Sequence, residues 1–249
     1  MSAQDRVAVV TGGGRGIGKA AALALSENGW IVVAAGRTPE PLEDTVDAME
    51  GSGLAVPTDV SNEDEVDALF AAAASEFGRV DLLFNNAGIA APAVPIDELD
   101  VMQWRRLIDI NVTGSFLCAR AAFAQMREQS PQGGRIINNG SVSATTPRPF
   151  SAPYTTSKHA ITGLTKSLAL DGRAYGISCG QIDIGNVSSD MGDQMAKGVL
   201  QPNGSVLAEP TMALENVTKG ILYMAELPAE ANVLSLTVMA ATMPFVGRG

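Results

Sequence analysis

Short apolar runs alternate along the chain with stretches whose apolar residues recur at helical spacing. Residues 7–10, 31–35 and 80–84 are nearly unbroken runs of Val, Ile, Leu, Ala and Phe, as expected of strands covered on both faces of a parallel sheet. Between them lie helical patterns: 19–28, closed by Gly29 as its C-terminal cap; 39–50; and a segment capped by Asn62, in which Val66, Leu69, Phe70, Ala73 and Phe77 keep one face. Further strands are predicted at 54–57, 135–139, 175–183 and 232–239, and further helices at 100–128, 154–173 and 214–225. This alternation predicts an α/β, doubly wound sandwich around a parallel sheet. Three stretches break it: a loop rich in Ala and Pro at 89–95, an irregular segment at 142–153, and residues 190–212, polar with scattered Met191, Met195 and Val199, where a lid is expected.

Composition narrows the class. A chain of 249 residues, 46% hydrophobic, buries a large core, and no repeat or linker divides it, so one domain over 1–249 is expected. A net charge of −10 argues against nucleic acid or an anionic membrane surface as partner. Cys118 and Cys179 form no CxxC pattern, and with one histidine, His159, they offer no metal cluster. A reduced, cytoplasmic setting is expected. The opening residues carry neither the basic flank nor the apolar run of a signal peptide, and no apolar stretch reads as long enough to span a bilayer.

Two motifs carry chemistry. The first strand runs into Thr11-Gly12-Gly13-Gly14-Arg15-Gly16-Ile17-Gly18 and then a helix. In that context Gly12 permits the tight turn, Gly16 lets a pyrophosphate approach the backbone, and Gly18 lets the helix pack on the strand. A NAD site would usually end the second strand with a carboxylate for the ribose hydroxyls. Here Gly36 stands there, followed by Arg37, so a 2′-phosphate is welcomed rather than repelled, and Arg15 adds a second cation. NADP(H) is the preferred cofactor expected, with NAD(H) possible. Asp59, before Val60, is expected either to accept from the adenine amino group or to serve as a plain turn residue. The second motif is Tyr154-Thr-Thr-Ser-Lys158. Residues i and i+4 share a helix face, so the ammonium meets the phenol, favours the phenolate and yields a proton donor or acceptor suited to an alcohol or a carbonyl. Asn111 falls inside a predicted helix, where its amide competes for the backbone.

Taken together, Thr-Gly-x-x-x-Gly-x-Gly at 11–18, Asn85-Asn86-Ala87-Gly88, Asn111, Ser141 and Tyr154-x-x-x-Lys158 resemble the short-chain dehydrogenase/reductase family from about Val7 to Ser189. The resemblance implies a Rossmann-type fold with a seven-stranded parallel sheet in the order 3-2-1-4-5-6-7. It implies Tyr154 as acid/base, Ser141 on the substrate oxygen and Lys158 on the nicotinamide ribose while tuning the phenol. Asn111 would anchor a water in a proton relay. Cofactor contacts are implied at Gly12, Arg15, Ile17, Asp59, Asn86, Val187 and Ser189. Neighbouring Gly16, Gly18, Arg37, Val60, Ala87, Gly88 and Gly185 complete the expected site. After the sixth strand, Ile184 stands where the family usually has Pro, and Ser189 where it has Thr. The C-terminal residues lack the Val-Asp-Gly-Gly ending of many members.

The implied activity interconverts a secondary alcohol and a ketone in a homotetramer paired through the helices of Asn111 and Tyr154. Gly163 in the latter is expected to admit another helix closely. Ile89, Ala90, Val142, Phe150, Met191 and Met195 are the expected substrate lining; Arg148 reads as a solvated loop charge, the alternative being a partner for an anionic group on the substrate. The alternative is a dinucleotide-sensing protein on the same fold, which need not keep the Asn/Ser/Tyr/Lys set.

Overall fold

The run at 7–10 becomes β1 (Val7–Thr11), buried along its whole length because helices cover both faces of the sheet. A computed structural model of the protein describes residues 6–188 and 198–246. After β1 the chain alternates α1 (Gly16–Glu27), β2 (Ile31–Gly36), α2 (Pro39–Asp47), β3 (Gly53–Pro57), α3 (Glu63–Phe77) and β4 (Leu82–Asn85). It continues through α4 (Val101–Ile108), α5 (Ser115–Glu128), β5 (Gly134–Asn139), α6 (Ala152–Asp171) and β6 (Ile177–Ile184). A small hairpin, β7 (Val199–Leu200) and β8 (Val206–Leu207), precedes α7 (Leu214–Ala225) and the edge strand β9 (Ser235–Val238).

The main sheet has seven strands in the order β3-β2-β1-β4-β5-β6-β9, every pair parallel. That is the expected topology. The chain works outward from β1 to β3, then returns to β4 on the other side of β1. The crevice at the carboxyl ends of β1 and β4 is therefore where this architecture receives ligands. Alternate strand residues feed two cores, since side chains alternate across a sheet. Val10, Phe84, Ile137 and Ile182 pack with Leu25 of α1 and Ile221 of α7. Val9, Leu83 and Ile136 pack on the other face with Leu69 of α3 and Met126 of α5.

Several expectations need correction. The helix predicted at 39–50 stops at Asp47, where Met49 turns its N–H back to the Val46 carbonyl. The predicted helix at 100–128 is continuous, but Asp109–Gly114 winds as a π-helix around Asn111. That 28-residue run is, by length and composition, long and apolar enough to cross a membrane, contrary to the sequence reading. Its core-facing side chains, Leu107, Leu117, Cys118 and Met126, are buried in the protein. Among the described residues nothing comes within 4 Å of a Cβ placed on Gly163, so no described helix packs there. The lid segment is not wholly irregular, since residues 199–207 form the hairpin.

Candidate active site

Gly12 and Gly16 adopt φ of 68° and 51°, left-handed values that a side chain disfavours. A Cβ on Gly12 would meet the Asn86 amide at 2.8 Å, and one on Gly18 would strike the Gly12 carbonyl. A Cβ on Gly16 would meet nothing within 4 Å. The backbone there faces open space at the start of α1, whose first N–H groups lack helical partners. This cradle fits a dinucleotide pyrophosphate.

The Asn-Asn-Ala-Gly segment is lashed to the glycine turn by Thr11, the residue that opens the glycine motif. Thr11 Oγ1 accepts from the N–H groups of Asn86 (2.9 Å) and Ala87 (3.0 Å), and the Thr11 carbonyl accepts from Asn86 Nδ2 (2.9 Å). Asn86 Oδ1 in turn accepts from Asn139 Nδ2 at 2.8 Å. A Cβ on Gly88 would press on Asn111 Oδ1 at 3.3 Å.

Past the carboxyl ends of β2 and β3, where adenosine is expected from the sequence, lies a hollow of about 270 Å³ lined by Arg37, Asp59, Ser61, Met102, Arg105, Arg106, Asp109 and Ile110. Arg15 is exposed and does not line it. Asp59 accepts from Ser61 Oγ (2.6 Å) and Ser61 N–H (3.0 Å). The Ser61 hydroxyl holds the Asp59 carboxyl below its ordinary range against the opposing effect of burial; the Ser61 N–H, Arg37 and Arg106 add to the lowering. Val60 and Val187 are 5% and 4% exposed, so a ligand would meet their backbones rather than their side chains. Ile17 packs against the core on the α1 side of the sheet.

At the other end of the crevice, the π-helical turn frees Asn111 from helical duty. Its amide pairs twice with the Ile89 backbone, accepting from the N–H (2.8 Å) and donating to the carbonyl (2.9 Å). Its Nδ2 also reaches Ser157 Oγ of α6 at 3.4 Å. Lys158, 7% exposed, donates from Nζ to the Asn139 carbonyl at 2.8 Å, and the same nitrogen stands 5.5 Å from the Tyr154 ring centre. Ser141 caps the short 3₁₀ turn Val142–Ala144; its Oγ accepts from Ser143 N–H at 3.1 Å and its own N–H donates to Asp183 Oδ1 at 3.0 Å. Lys158 thus joins α6 to the end of β5, with the Tyr154 ring near its ammonium and Ser141 two residues past that strand.

β6 runs through Ile184, paired with Val238, a register that the Ile in place of Pro permits because it keeps an N–H and imposes no ring. A Cβ on Gly185 would meet Met239 Cβ at 2.6 Å, so the chain passes there only as glycine. Ser189, Met191 and Met195 lie outside the described residues. Of the expected substrate lining, Val142 is turned into the core at 6% exposure, while Phe150 is 43% exposed with φ of 58°, a strained value for a bulky residue. Arg148 is not a free cation. Its Nη2 donates to Glu209 Oε2 (2.6 Å) and Asn186 Oδ1 (2.9 Å). Glu209, Asn186 and Gln201 were missed because nothing local in the sequence marks a long-range buried pair.

The profile of the short chain dehydrogenase family matches residues 6–199. The chain belongs to that family. Among curated relatives, it is 39% identical over 233 residues to the cis-4-hydroxycyclohexanecarboxylate dehydrogenase of Sinomonas cyclohexanicum, covering 89% of each chain. It is also 39% identical over 181 residues to a 3beta-hydroxysteroid dehydrogenase of Mediterraneibacter gnavus, covering 72% of this chain and 64% of that one. Among solved structures, it superposes with a TM-score of 0.86 and 25% identity on a 3-ketoacyl-(acyl-carrier-protein) reductase from Brucella melitensis complexed with NADH, covering 97% and 99% of the two chains. This dehydrogenase is an oxidoreductase acting on CH–OH or C=O groups with a nicotinamide dinucleotide.

Proposed function

We propose that the enzyme interconverts a secondary alcohol and a ketone with NADP(H), using Tyr154 as the acid/base. The observation that carries the reading is the junction of Lys158 with Tyr154 and with the carbonyl of Asn139, two residues before Ser141. The bound nicotinamide supplies and receives the hydride. The protein does the rest. Ser141 donates its hydroxyl hydrogen to the substrate oxygen and orients it. Tyr154 gives that oxygen its proton in reduction and takes it back in oxidation. Lys158, held by the Asn139 carbonyl, meets the nicotinamide ribose and stabilises the phenolate that remains. Asn111, fixed by the Ile89 backbone, holds the water through which Tyr154 is reprotonated.

For cofactor choice, Gly36 supplies no carboxylate to repel a 2′-phosphate, and Arg37 lines the adenosine hollow with Arg105 and Arg106. Arg15 lies outside that hollow, so the companions of Arg37 come from α4 rather than from the glycine turn. The substrate is a small apolar-bodied carbonyl compound or alcohol, received within one domain spanning 1–249; a lid over 190–212 is part of this reading, its residues 190–197 lying outside the described ones. Assembly as a homotetramer through α5 and α6 belongs to the same reading. Phe116 of α5 and Leu170 of α6 stand 49% and 60% exposed, and no described residue covers Gly163 of α6; a monomer in sedimentation at micromolar concentration rejects it. The cytoplasm is the setting proposed for the two free thiols.

The test is kcat/KM on a panel of ketones with each cofactor, at low and moderate salt. A preference for NADPH that shrinks with salt is expected, because exposed charges are screened. Equal values, or a preference for NADH, reject the cofactor assignment. An absence of turnover across the panel rejects the catalytic one.

A further inference from the structure

Asp183 lies at the end of β6, 6% exposed, and among the described residues no cation stands within 4 Å of its carboxylate. Burying a carboxylate is costly unless strong donors replace water. Three donors do so. Oδ1 accepts from Ser141 N–H (3.0 Å) and Gln181 Nε2 (2.6 Å), and Oδ2 from Ser235 Oγ (3.4 Å). The approach depends on Gly140, where a Cβ would collide with Asp183 Oδ1. Glycine at 140 and Asp at 183 are therefore a matched pair that brings a charge to the backbone of Ser141.

We infer that Asp183 is a positioning residue that sets the Ser141 hydroxyl for the substrate oxygen. Ser141 sits in extended backbone (φ −168°, ψ 155°), and its Oγ already accepts from Ser143 N–H at 3.1 Å. With one lone pair engaged there and the backbone N–H held by Asp183, the hydroxyl hydrogen is directed away from both. Asp183 does not touch the reacting atoms; it acts through Ser141. The inference rests on the reading of Ser141 as the group that holds the substrate oxygen.

A double-mutant cycle separates this role from a merely structural one. Ser141→Ala, Asp183→Ala, the double variant and Asp183→Asn are compared by kcat and KM for a ketone, NADPH affinity by cofactor fluorescence, and thermal unfolding. Ser141→Ala is expected to lower kcat about 100-fold, the scale of a lost oxyanion-type donor. Asp183→Ala is expected to lower kcat at least about tenfold with NADPH affinity unchanged, since a small misplacement is costly in rate. The double variant should be no slower than Ser141→Ala, within about threefold, because the route through Ser141 is already gone. Asp183→Asn keeps a carbonyl oxygen for the Ser141 N–H and should regain most of the rate. If Asp183→Ala does not fold, Asp183→Ser, whose hydroxyl is too short for the reach, takes its place in the cycle. Wild-type kcat in Asp183→Ala, a multiplied loss in the double variant, or a matching loss of NADPH affinity overturns the inference and leaves the Ser141 assignment standing. Full turnover in Ser141→Ala overturns that assignment and the inference with it.

Discussion

Replacing Glu209 with Gln should destabilise the protein by about 3 kcal/mol. The side chain is 2% exposed and its partner Arg148 17%. Its Oε2 accepts from Arg148 Nη2 (2.6 Å) and Asn186 Nδ2 (2.8 Å), and its Oε1 from Gln201 Nε2 (3.0 Å). An amide keeps the shape but removes the charge, and points its own N–H group at one of these donors. Removing one member of a buried pair costs about 3–5 kcal/mol, because the other charge is left uncompensated. Arg148 retains the Asn186 carbonyl oxygen at 2.9 Å and a little water, which favours the low end. For a chain of this size about 1 kcal/mol moves the melting temperature by about 2–4 °C, so a fall of about 6–12 °C is expected in calorimetry at neutral pH. The effect should be pH-dependent. Burial pushes the Glu209 carboxyl up, but hydrogen bonds from Gln201, Asn186 and Arg148, with the Arg148 charge, outweigh it and leave the value below the ordinary 4.5. A depressed folded value means that the stabilisation is fully present above about pH 4.5 and fades as pH falls through the lower folded value. The gap between wild type and variant should therefore close in acid. Arg148→Met combined with Glu209→Gln should cost less than the sum of the two. A melting temperature within about 2 °C of wild type, or a gap unchanged in acid, would refute the reasoning. The pair ties the segment before α6 to the hairpin, so the ketone KM should rise in either single variant.

Tyr154→Phe should cut turnover by at least about 10²-fold, the loss typical of a missing general acid, while NADPH still binds by fluorescence. Lys158→Ala should damage both, since it removes a ribose contact as well as the charge. Asn111→Leu should unfasten the loop at Ile89, seen as faster amide exchange of Ile89 and lower turnover, because two backbone hydrogen bonds lose their partner. Burial pushes the thiols of Cys118 and Cys179 up to about 12, so iodoacetamide at mildly alkaline pH should label neither until the protein unfolds. Gly36→Asp with Arg37→Leu should move preference toward NADH by about tenfold, because a charge-assisted bond contributes about 1.5–3 kcal/mol and exposure favours the low end.

What the chain disclosed about itself followed range. The alternation of runs placed the strands, their order came only with the family that the five spaced motifs resemble, and the lysine and tyrosine of α6 needed only a helical repeat. Asn111 was legible as an anomaly, an amide in a helix interior, but not as the clasp on the Ile89 backbone, 22 residues away, that it makes from a π-helical turn. Arg148 read as a loop charge because its partner lies 61 residues further on. Arg37 was noticed from its neighbour Gly36, whereas Arg105 and Arg106 were absorbed into a helical period that says nothing of what the exposed face looks onto. Asp183 passed as the end of a strand. Its meaning lies in Gly140, on the adjacent strand's exit, and a single sequence carries no mark of that pairing.

The same geometry explains how an apolar sheet ends in a polar site without leaving groups unsatisfied. Leu83, Ile136 and Cys179 lie in one core on adjacent strands. Two residues further on, the same face carries Asn85, Asn138 and Gln181, which the register places side by side. All three are buried, at 4%, 1% and 3% exposure. Asn85 Nδ2 donates to the Ser115 carbonyl (2.8 Å) and to Asn138 Oδ1 (3.1 Å), and Asn138 Nδ2 donates to Thr165 Oγ1 (2.9 Å). Thr165 Oγ1 approaches Gln181 Oε1 at 3.2 Å, and Gln181 Nε2 donates to Asp183 Oδ1 at 2.6 Å. Ser115 Oγ closes the near end on the Asn111 carbonyl at 2.8 Å, and Asp183 closes the far end on the N–H of Ser141. A ladder of amides thus crosses three strands and joins the π-helical turn of Asn111 to the cap of Ser141. Buried polar groups of this kind rigidify a structure only when every member has its partner. Here the ladder begins where the strands reach their carboxyl ends, so the sheet is apolar where it must pack and hydrogen-bonded where it must hold two site residues at a fixed separation.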